Sequence, residues 1–403
     1  MTTHQPDVIT MGIHIVDILG YPVPAVPAGQ GLALLERIHM TPAGTCAATA
    51  VDLAKLGVNV ATIGVVGADE LGEWLVRRMG EQGVDVSQLH LEASAPTSAT
   101  MLPIRPNGER PALHVIGANA LLSAAHIDWD VVAGARHLHI GGTSLMALLD
   151  GEPTAVVLKK ARELGLTTSM DLIFSPDRDQ EALFGPCYPH LDYFLPNDED
   201  AIAISGTTSP DDAATWFLER GVGAAVITLG ADGALYADAA GNRFVTPAIA
   251  VDVVDTSGCG DAFSAGLIAG VVEKMSPTDA VQLGVACGSL VATGLGSDAG
   301  IIDRAQVDAF ASASRGTRHH GEEPDVIGRI ARLYYEHGLT HQEIADIFGI
   351  SRVKVTRLLQ EAREKGIVEI RVHSQASPFV DVEHALTERF GLRQAWVAPS
   401  PSD

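Results

Sequence analysis

The 403-residue chain has only four cysteines, Cys46, Cys187, Cys259 and Cys287, spread far apart with no CxxC pair and no paired histidine spacing. That excludes a disulfide scaffold or a structural zinc site and fits a reducing cytoplasm. No stretch approaches 18 uninterrupted apolar residues, and Met1 to Pro6 is polar without an apolar signal core. Neither a membrane span nor a secretory leader is therefore expected. Basic residues are scarce as well: 27 Lys and Arg stand against 50 Asp and Glu, a formal charge of −23. A whole-surface binder of nucleic acid or anionic membrane needs a positive footprint that such a surface lacks. With 46% hydrophobic residues the chain is too apolar for disorder. At this length a large domain with a smaller companion is the expectation.

The charge is unevenly placed. Residues 1–315 hold 16 Lys and Arg against 37 Asp and Glu, a net of −21, whereas residues 316–403 hold 11 against 13, a net of −2. The break falls in Ser312–Pro324 (SASRGTRHHGEEP), a polar stretch that reads as a linker. His319 and His320 within it read as solvated residues. The expected layout is a large domain over 1–311, a linker over 312–324, a small domain over 325–375 and a distinct tail over 376–403.

Before the linker, β-branched apolar runs alternate with helical patterns and Gly-rich turns. Val60–Val66, His137–Gly141, Thr167–Ile173 and Ala224–Leu229 read as strands, and Leu71–Gln82 and Pro153–Leu164 as helices. The alternation predicts an α/β domain with a largely parallel sheet covered on both faces. Thr97–Ile104 and Ala112–Ile116 interrupt it, joined through Asn107-Gly108, which signals a hairpin. Such an insert is either a lid over a site or an ordinary surface excursion.

The segment Val253–Phe263 (VVDTSGCGDAF) carries the most chemistry. A Gly-rich turn opening an apolar helix aims backbone N–H groups and the positive helix end at one point, which suits a phosphate. An Asp inside that turn could take the proton from an attacking hydroxyl while the N–H groups stabilise the transferring phosphoryl group. A tight turn with a capping Asp is the plain alternative.

This stretch resembles the second signature of the PfkB carbohydrate kinase family (ribokinase-like), written DTxGxGDxF. The resemblance runs in order along the chain, from about residue 8 to about residue 302. Gly12–Asp17 is similar to the family's first strand, which ends in a sugar-binding Asp. Ala43-Gly44 through Leu56-Gly57 looks like its first signature, Gly67–Gly72 its GxDxxG and Gly117-Ala118-Asn119 its GAN after the lid. Asn197–Asp200 sits at NxxE, and Thr228–Gly233 matches TxGxxG. The resemblance implies a ribokinase-like three-layer α/β fold with a small β lid over Thr97–Ile116. It further implies an ATP-dependent sugar kinase that works with Mg2+, in which Asp261 is the catalytic base and Gly258, Cys259 and Gly260 form the anion hole. Asp17 and Gly44 would contact the sugar, and Thr228, Gly230, Gly233 and Gly296 the nucleotide. Asn197 and Asp200 would organise the Mg2+ and its waters, and Asp255 and Ser257 would hold a monovalent cation, K+.

The departures concern the sugar. Ala48 stands where the first signature has Asn, and Asp171-Leu172-Ile173 where many members have DxN, so two polar contacts are missing. Asp200 replaces the Glu of NxxE, which shortens the carboxylate. Cys259 takes the place of the commoner Ala. A thiol at a helix N-terminus can be acidic and redox-sensitive, or it can simply be a small residue whose backbone alone matters, and Cys46 poses the same choice.

After the linker the pattern turns helical. Val326, Ile330, Leu333 and Tyr334 share one helical face, Thr340–Glu343 reads as a capping box, and Ser351 can cap a third helix that ends near Gly366. Ile367–Val372 alternates as a strand does. The arrangement describes a small winged helix-turn-helix domain. Its third helix carries Arg352, Lys354, Arg357, Arg363 and Lys365 against Glu361 and Glu364, a local net of +3. Ser351, Arg352, Lys354, Thr356 and Arg357 are the expected DNA contacts, the alternative being a helical docking domain with a solvated charged face. Ile327–Val372 resembles the DNA-binding domain of SorC-family sugar-responsive regulators. Asp381–Pro399 resembles the start of that family's effector domain, the rest of which does not follow.

The expected protein is a sugar kinase joined to a DNA-binding regulator module, cytoplasmic, with a sugar and a DNA operator as partners and a homodimer to match paired half-sites. A kinase fold that senses a sugar or nucleotide without turning it over is the alternative.

Overall fold

A computed structural model describes residues 5–105, 110–316, 326–348, 352–364 and 366–368, with scattered positions beyond. The chain divides into two compact units, Met1–Thr317 and Arg318–Asp403.

The first unit opens with β1 (Val8–Gly12), β2 (Ile15–Tyr21) and β3 (Arg37–Ala43), followed by α1 (Thr45–Lys55). Next come β4 (Val60–Gly67), α2 (Glu70–Glu81), β5 (Asp85–Glu92), β6 (Ala99–Pro103) and β7 (Leu113–Val115). The middle holds α3 (Trp129–Val132), β8 (His137–Thr143), α4 (Glu152–Glu163), β9 (Thr167–Leu172), α5 (Gln180–Phe184) and β10 (Tyr193–Phe194). Then follow α6 (Asp198–Ser205), α7 (Pro210–Glu219), β11 (Ala224–Thr228), β12 (Ala234–Asp238) and β13 (Arg243–Thr246). Three helices, α8 (Cys259–Val272), α9 (Pro277–Val291) and α10 (Arg304–Gly316), close it.

Nine strands form one mixed sheet in the order β13-β12-β11-β10-β9-β8-β1-β4-β5. Every pairing from β11 to β5 is parallel, and β12 and β13 add an antiparallel edge. The central strands VITMG and VATIGVVG are buried along their whole length, as unbroken apolar runs must be when helices cover both faces. One face packs on α4, α5 and α7 and the other on α1, α8 and α9, which gives the three layers. Small residues let α8 and α9 approach closely: a Cβ at Gly266 would lie 2.8 Å from the Cα of Gly284.

A second sheet, in the order β3-β2-β6-β7, forms the lid. The pairing of β6 with β7 is the expected hairpin, and its Asn107-Gly108 turn lies outside the described residues. The segment Gly12–Asp17 departs from expectation. It is two strands rather than one, because β1 stops at Gly12 in the main sheet and β2 starts at Ile15 in the lid. Gly12 runs so close to β8 that a Cβ there would overlap the Gly141 carbonyl. Asn119 of the GAN motif pins the crossing, its Oδ1 accepting from the His14 N–H at 3.0 Å and its Nδ2 donating to the His14 carbonyl at 3.0 Å. Asp69 of GxDxxG caps α2 through the Gly72 N–H and also accepts from Thr97 at the root of the lid.

The second unit contains α11 (Val326–Tyr335), α12 (His341–Phe348) and α13 (Arg352–Glu364) around Ile330, Ile344, Val355 and Leu359. The capping box forms as read: the Thr340 N–H donates to Glu343 Oε2 at 2.8 Å and the Glu343 N–H to Thr340 Oγ1 at 3.3 Å. Ser351, Lys365 and the expected strand beyond Val368 lie outside the described residues, as do residues 317–324 of the expected linker and most of the tail, while residues 312–316 of that linker continue helix α10 instead.

Candidate active site

Helix α8 begins where Gly258 turns into the left-handed region, at φ 76°. A side chain at Gly258 would meet Ser297 Cβ at 2.6 Å, whereas a Cβ at Gly260 would meet nothing within 4 Å. The turn is thus tight behind and open in front. The first N–H groups of a helix have no partner within it, which suits such a turn to an anion; here the Cys259 N–H reaches back to the Thr256 carbonyl at 3.4 Å. Cys259 contributes only its backbone to this geometry. Burial pushes its thiol up to about 12, and that of Cys46 to about 12 as well, which removes both from the reactive thiols.

Asp261 lies in the first turn of α8. Burial holds its carboxyl well above the usual range, and the nearby charges of Asp171, Asp52 and Asp17 raise it further while Arg110 opposes them. Such a carboxylate is a stronger base than one in water. Asp17, on lid strand β2, is pushed up to about 6 by burial and meets Thr100 and Arg110. The lid therefore brings Asp17 to the same place as Asp261. Gly44 caps α1 with φ 86°, and a Cβ there would sit 2.8 Å from the Ile13 carbonyl, so the backbone passes directly under the crossing into the lid.

Asp255 and Ser257 come together, but they face one another. Asp255 Oδ1 accepts from the Ser257 N–H at 2.9 Å and its hydroxyl at 2.8 Å, and Oδ2 accepts from the Gly296 N–H at 3.0 Å. Asp255 thus ties the turn before α8 to the Gly296 loop. That loop is in turn tied to the lid, since Thr41 Oγ1 on β3 donates to Asp298 at 2.7 Å.

Asn197 caps α6, accepting from the Asp200 N–H at 2.8 Å and donating to its carboxylate at 2.8 Å. It also bridges to Thr228 at the end of β11, which places the residues expected for metal beside those expected for nucleotide. A Cβ at Gly230 would meet nothing within 4 Å, while one at Gly233 would overlap the Thr246 carbonyl. Gly230 is therefore open to a ligand and Gly233 is a packing glycine. Among the described residues no group of three or more His, Cys, Asp and Glu is arranged to hold a metal ion.

Arg110 is the residue that sequence reasoning missed. It leaves the lid after the hairpin turn and donates a short hydrogen bond from Nη1 to Ser257 Oγ. Its only sequence signal is one of two arginines, Arg105 and Arg110, that flank the Asn-Gly turn. In the second unit, Thr356 and Arg357 are exposed on α13, and Thr356 Oγ1 lies 3.2 Å from His341 Nδ1. Arg352 and Lys354 belong to the first turn of the same helix.

Comparison with known proteins agrees with this architecture. Residues 5–304 match the pfkB family carbohydrate kinase profile, and residues 324–376 match a Crp-like helix-turn-helix domain. The chain is 28% identical over 284 residues to 2-dehydro-3-deoxygluconokinase of Bacillus subtilis, covering 68% of this chain and 87% of that one. It is 28% identical over 310 residues to fructokinase-1 of Oryza sativa, covering 72% and 93%. The solved ribokinase of Thermotoga maritima superposes with TM-score 0.66 at 24% identity, over 76% of this chain and 99% of that one. An Arabidopsis thaliana ribokinase complexed with ribose and ATP gives TM-score 0.67 at 20% identity, over 76% and 99%. Among the described residues no helix is long and apolar enough to cross a membrane. The chain belongs to the pfkB family of carbohydrate kinases and carries a helix-turn-helix domain at its C-terminal end.

Proposed function

We propose that the first unit transfers the γ-phosphoryl group of ATP to a sugar hydroxyl and that the second binds DNA, so that one chain joins sugar phosphorylation to control of transcription. The observation that carries the kinase reading is Asp261, a buried carboxyl of raised basicity in the first turn of a helix that opens on a left-handed Gly258 and is unobstructed at Gly260. Asp261 takes the proton as the sugar oxygen attacks the γ-phosphorus. The new O–P bond forms while the bond to the ADP oxygen breaks, and ADP leaves with that electron pair. Amides of Gly258, Cys259 and Gly260 stabilise the charge on the transferring group, and Arg110 adds a guanidinium from the lid. Asn197 and Asp200 would hold a Mg2+ on the nucleotide phosphates, which would supply further charge neutralisation there. Asp17 and Gly44 orient the sugar, and the Gly230 turn and the Gly296 loop take the nucleotide. Asp255 and Ser257 with their loop are the place for a monovalent cation, K+.

Release of ADP across pentoses, hexoses, sugar acids and nucleosides tests this reading. Turnover with one acceptor, lost in Asp261→Asn, is the expected result, and no turnover with any acceptor would leave a sensing fold in its place. A gel shift on the DNA upstream of the chain's own coding sequence tests the second unit. We also propose a homodimer. One face of the lid carries Ile38, Met101 and Leu113, exposed by 71%, 56% and 61%, and pairing two lids would cover it. Met101→Lys with Leu113→Lys should give a monomer in size-exclusion chromatography.

A further inference from the structure

The loop between α9 and α10 gathers its fastenings at Asp298, whose side chain is 9% exposed. Its Oδ1 accepts from Thr41 Oγ1 at 2.7 Å, and its Oδ2 accepts from Gln82 Nε2 at 3.2 Å. Arg78 Nη2 stands 3.5 Å from Oδ2, and His39 Nε2 3.7 Å from Oδ1. The main chain of the same residue is held as well, since Lys55 Nζ donates to the Asp298 carbonyl at 2.7 Å. Lid strand β3, helix α1 and the C-terminal end of α2 thus converge on one residue. The loop needs such an anchor, because residues 294–300 contain three glycines, Gly294, Gly296 and Gly300, and a chain so permissive does not fix its own course.

What Asp298 holds in place is the back of the α8 turn. The Gly296 N–H donates to Asp255 Oδ2 at 3.0 Å, and Ser297 Oγ donates to the Pro42 carbonyl at 2.9 Å. Ser297 stands directly behind Gly258, where a Cβ would lie 2.6 Å from Ser297 Cβ. On the other side a Cβ at Gly296 would lie 3.2 Å from Thr41 Cγ2. The loop is therefore wedged between lid strand and turn, and a displacement at Asp298 reaches both Gly296 and Gly258. The carboxylate suits this task. Burial by itself would raise its pKa, but the donors Thr41 and Gln82 and the charge of Lys55 hold it below the usual carboxylate range. At neutral pH it is ionised and accepts on both oxygens.

We infer that Asp298 is a positioning residue: by anchoring the 294–300 loop to β3, α1 and α2 it sets Gly296 and the Gly258 turn for the nucleotide. The inference rests on the kinase reading, in which that loop takes the nucleotide, and adds the group that holds it. Its effect comes from hydrogen bonding rather than from charge. Arg78 and His39 are each 39% exposed, where an ion pair contributes little. Thr41 is buried and makes the shortest of the side-chain contacts. An amide of the same shape can keep both bonds. Gln82 Oε1 is buried without a partner, so a Gln82 amide turned over would accept from an NH2 group at the Oδ2 position while Oδ1 still serves Thr41.

The test is calorimetry of Mg·ADP on the full-length chain, on Asp298→Ala, Asp298→Asn and Thr41→Val, and on the double variant Thr41→Val with Asp298→Ala, each checked by thermal unfolding. Asp298→Ala should weaken Mg·ADP by about tenfold or more, and Asp298→Asn should bind within about threefold of the unaltered chain. Thr41→Val should cost about fivefold alone and nothing further in the Asp298→Ala background, since it acts through the same carboxylate. Unchanged affinity in a folded Asp298→Ala chain, whatever its melting temperature, overturns the inference and leaves the kinase reading intact. Asp298→Asn binding as weakly as Asp298→Ala overturns it too, assigning the effect to charge. Should Asp298→Ala not fold, Thr41→Val decides: the fivefold loss supports the inference and unchanged affinity overturns it. The expected pattern of Mg·ADP affinities without ADP release from any acceptor leaves the inference standing and ends the kinase reading. No Mg·ADP binding by the unaltered chain overturns both.

Discussion

His139 Nε2 lies 3.5 Å from Asp171 Oδ2, both side chains buried, at the end of a polar chain that crosses from β8 to β9. The chain can be written with one direction. Thr167 Oγ1 meets His137 Nδ1 at 2.7 Å, His137 Nε2 meets Ser169 Oγ at 2.8 Å, and Ser169 Oγ meets His139 Nδ1 at 2.8 Å. If each hydroxyl donates forward, His139 turns its Nε2–H toward Asp171, at ion-pair distance and without a hydrogen bond. Asp171 in turn acts on Asp261.

Asp171→Asn removes the charge that most strongly raises Asp261. The sign follows directly. A neighbouring negative charge favours the protonated acid, so its removal lowers the Asp261 pKa and moves the acid limb of kcat/KM to lower pH. The turnover at neutral pH should fall as well, by about tenfold, because a less basic carboxylate removes the proton less effectively. A full pH profile of the variant checks both.

Arg110 predicts the opposite displacement. Its guanidinium stabilises the ionised forms of Asp17 and Asp261. Arg110→Ala should raise both pKa values and move the acid limb to higher pH. It should also lower kcat by about 100-fold if the guanidinium meets the transferring phosphoryl group, in keeping with the loss of one charge-stabilising donor. Arg110→Lys restores the charge but not the planar fork, so it should recover the pH profile and only part of kcat.

The two glycines of the turn proposed as the anion hole should separate stability from activity. Gly258→Ala puts a side chain into the left-handed region and against Ser297 at 2.6 Å, which costs about 1–3 kcal/mol. Gly260→Ala meets no neighbour within 4 Å and sits inside a helix, where Ala is favoured over Gly by about 1 kcal/mol. Urea unfolding should show the first variant destabilised and the second unharmed or slightly stabilised. Both should lose most of their turnover, the second because its methyl group occupies the space in front of the amides.

The order of patterns along the chain makes the α/β unit legible in the sequence, because buried parallel strands write themselves as unbroken apolar runs such as ATIGVV. The main helices came within one or two residues, as with α2, where the capping Asp69 marks the start. Strands β2 and β3 were harder to see. They leave the main sheet through a crossing at Ile13–His14 that is held by Asn119, more than 100 residues away, and no local pattern encodes such a contact. Arg110 escaped for a related reason, since its partner Ser257 is 147 positions distant. The signature turn at Gly258–Asp261 was legible because its chemistry is local: glycine for a left-handed turn, then a helix start, then a carboxylate.

The second unit offers a prediction that depends on charge. Residues 1–315 carry −21 and repel a polyanion, while residues 316–403 carry −2. Any DNA affinity must therefore come from positive charge concentrated locally, and α13 is where it lies. Thr356 and Arg357 are exposed on that helix, one turn on from Arg352 and Lys354. Arg357→Ala should weaken binding by about tenfold or more, and if Arg357 meets a phosphate, the slope of log K against log salt should shrink by about 1. If it reads a base edge instead, the loss should fall on one sequence and leave binding to unrelated DNA unchanged. Fluorescence anisotropy at several salt concentrations, on the upstream DNA and on a scrambled duplex, separates the two. Equal binding by the variant and the unaltered chain on both duplexes would assign the helix to protein docking rather than DNA.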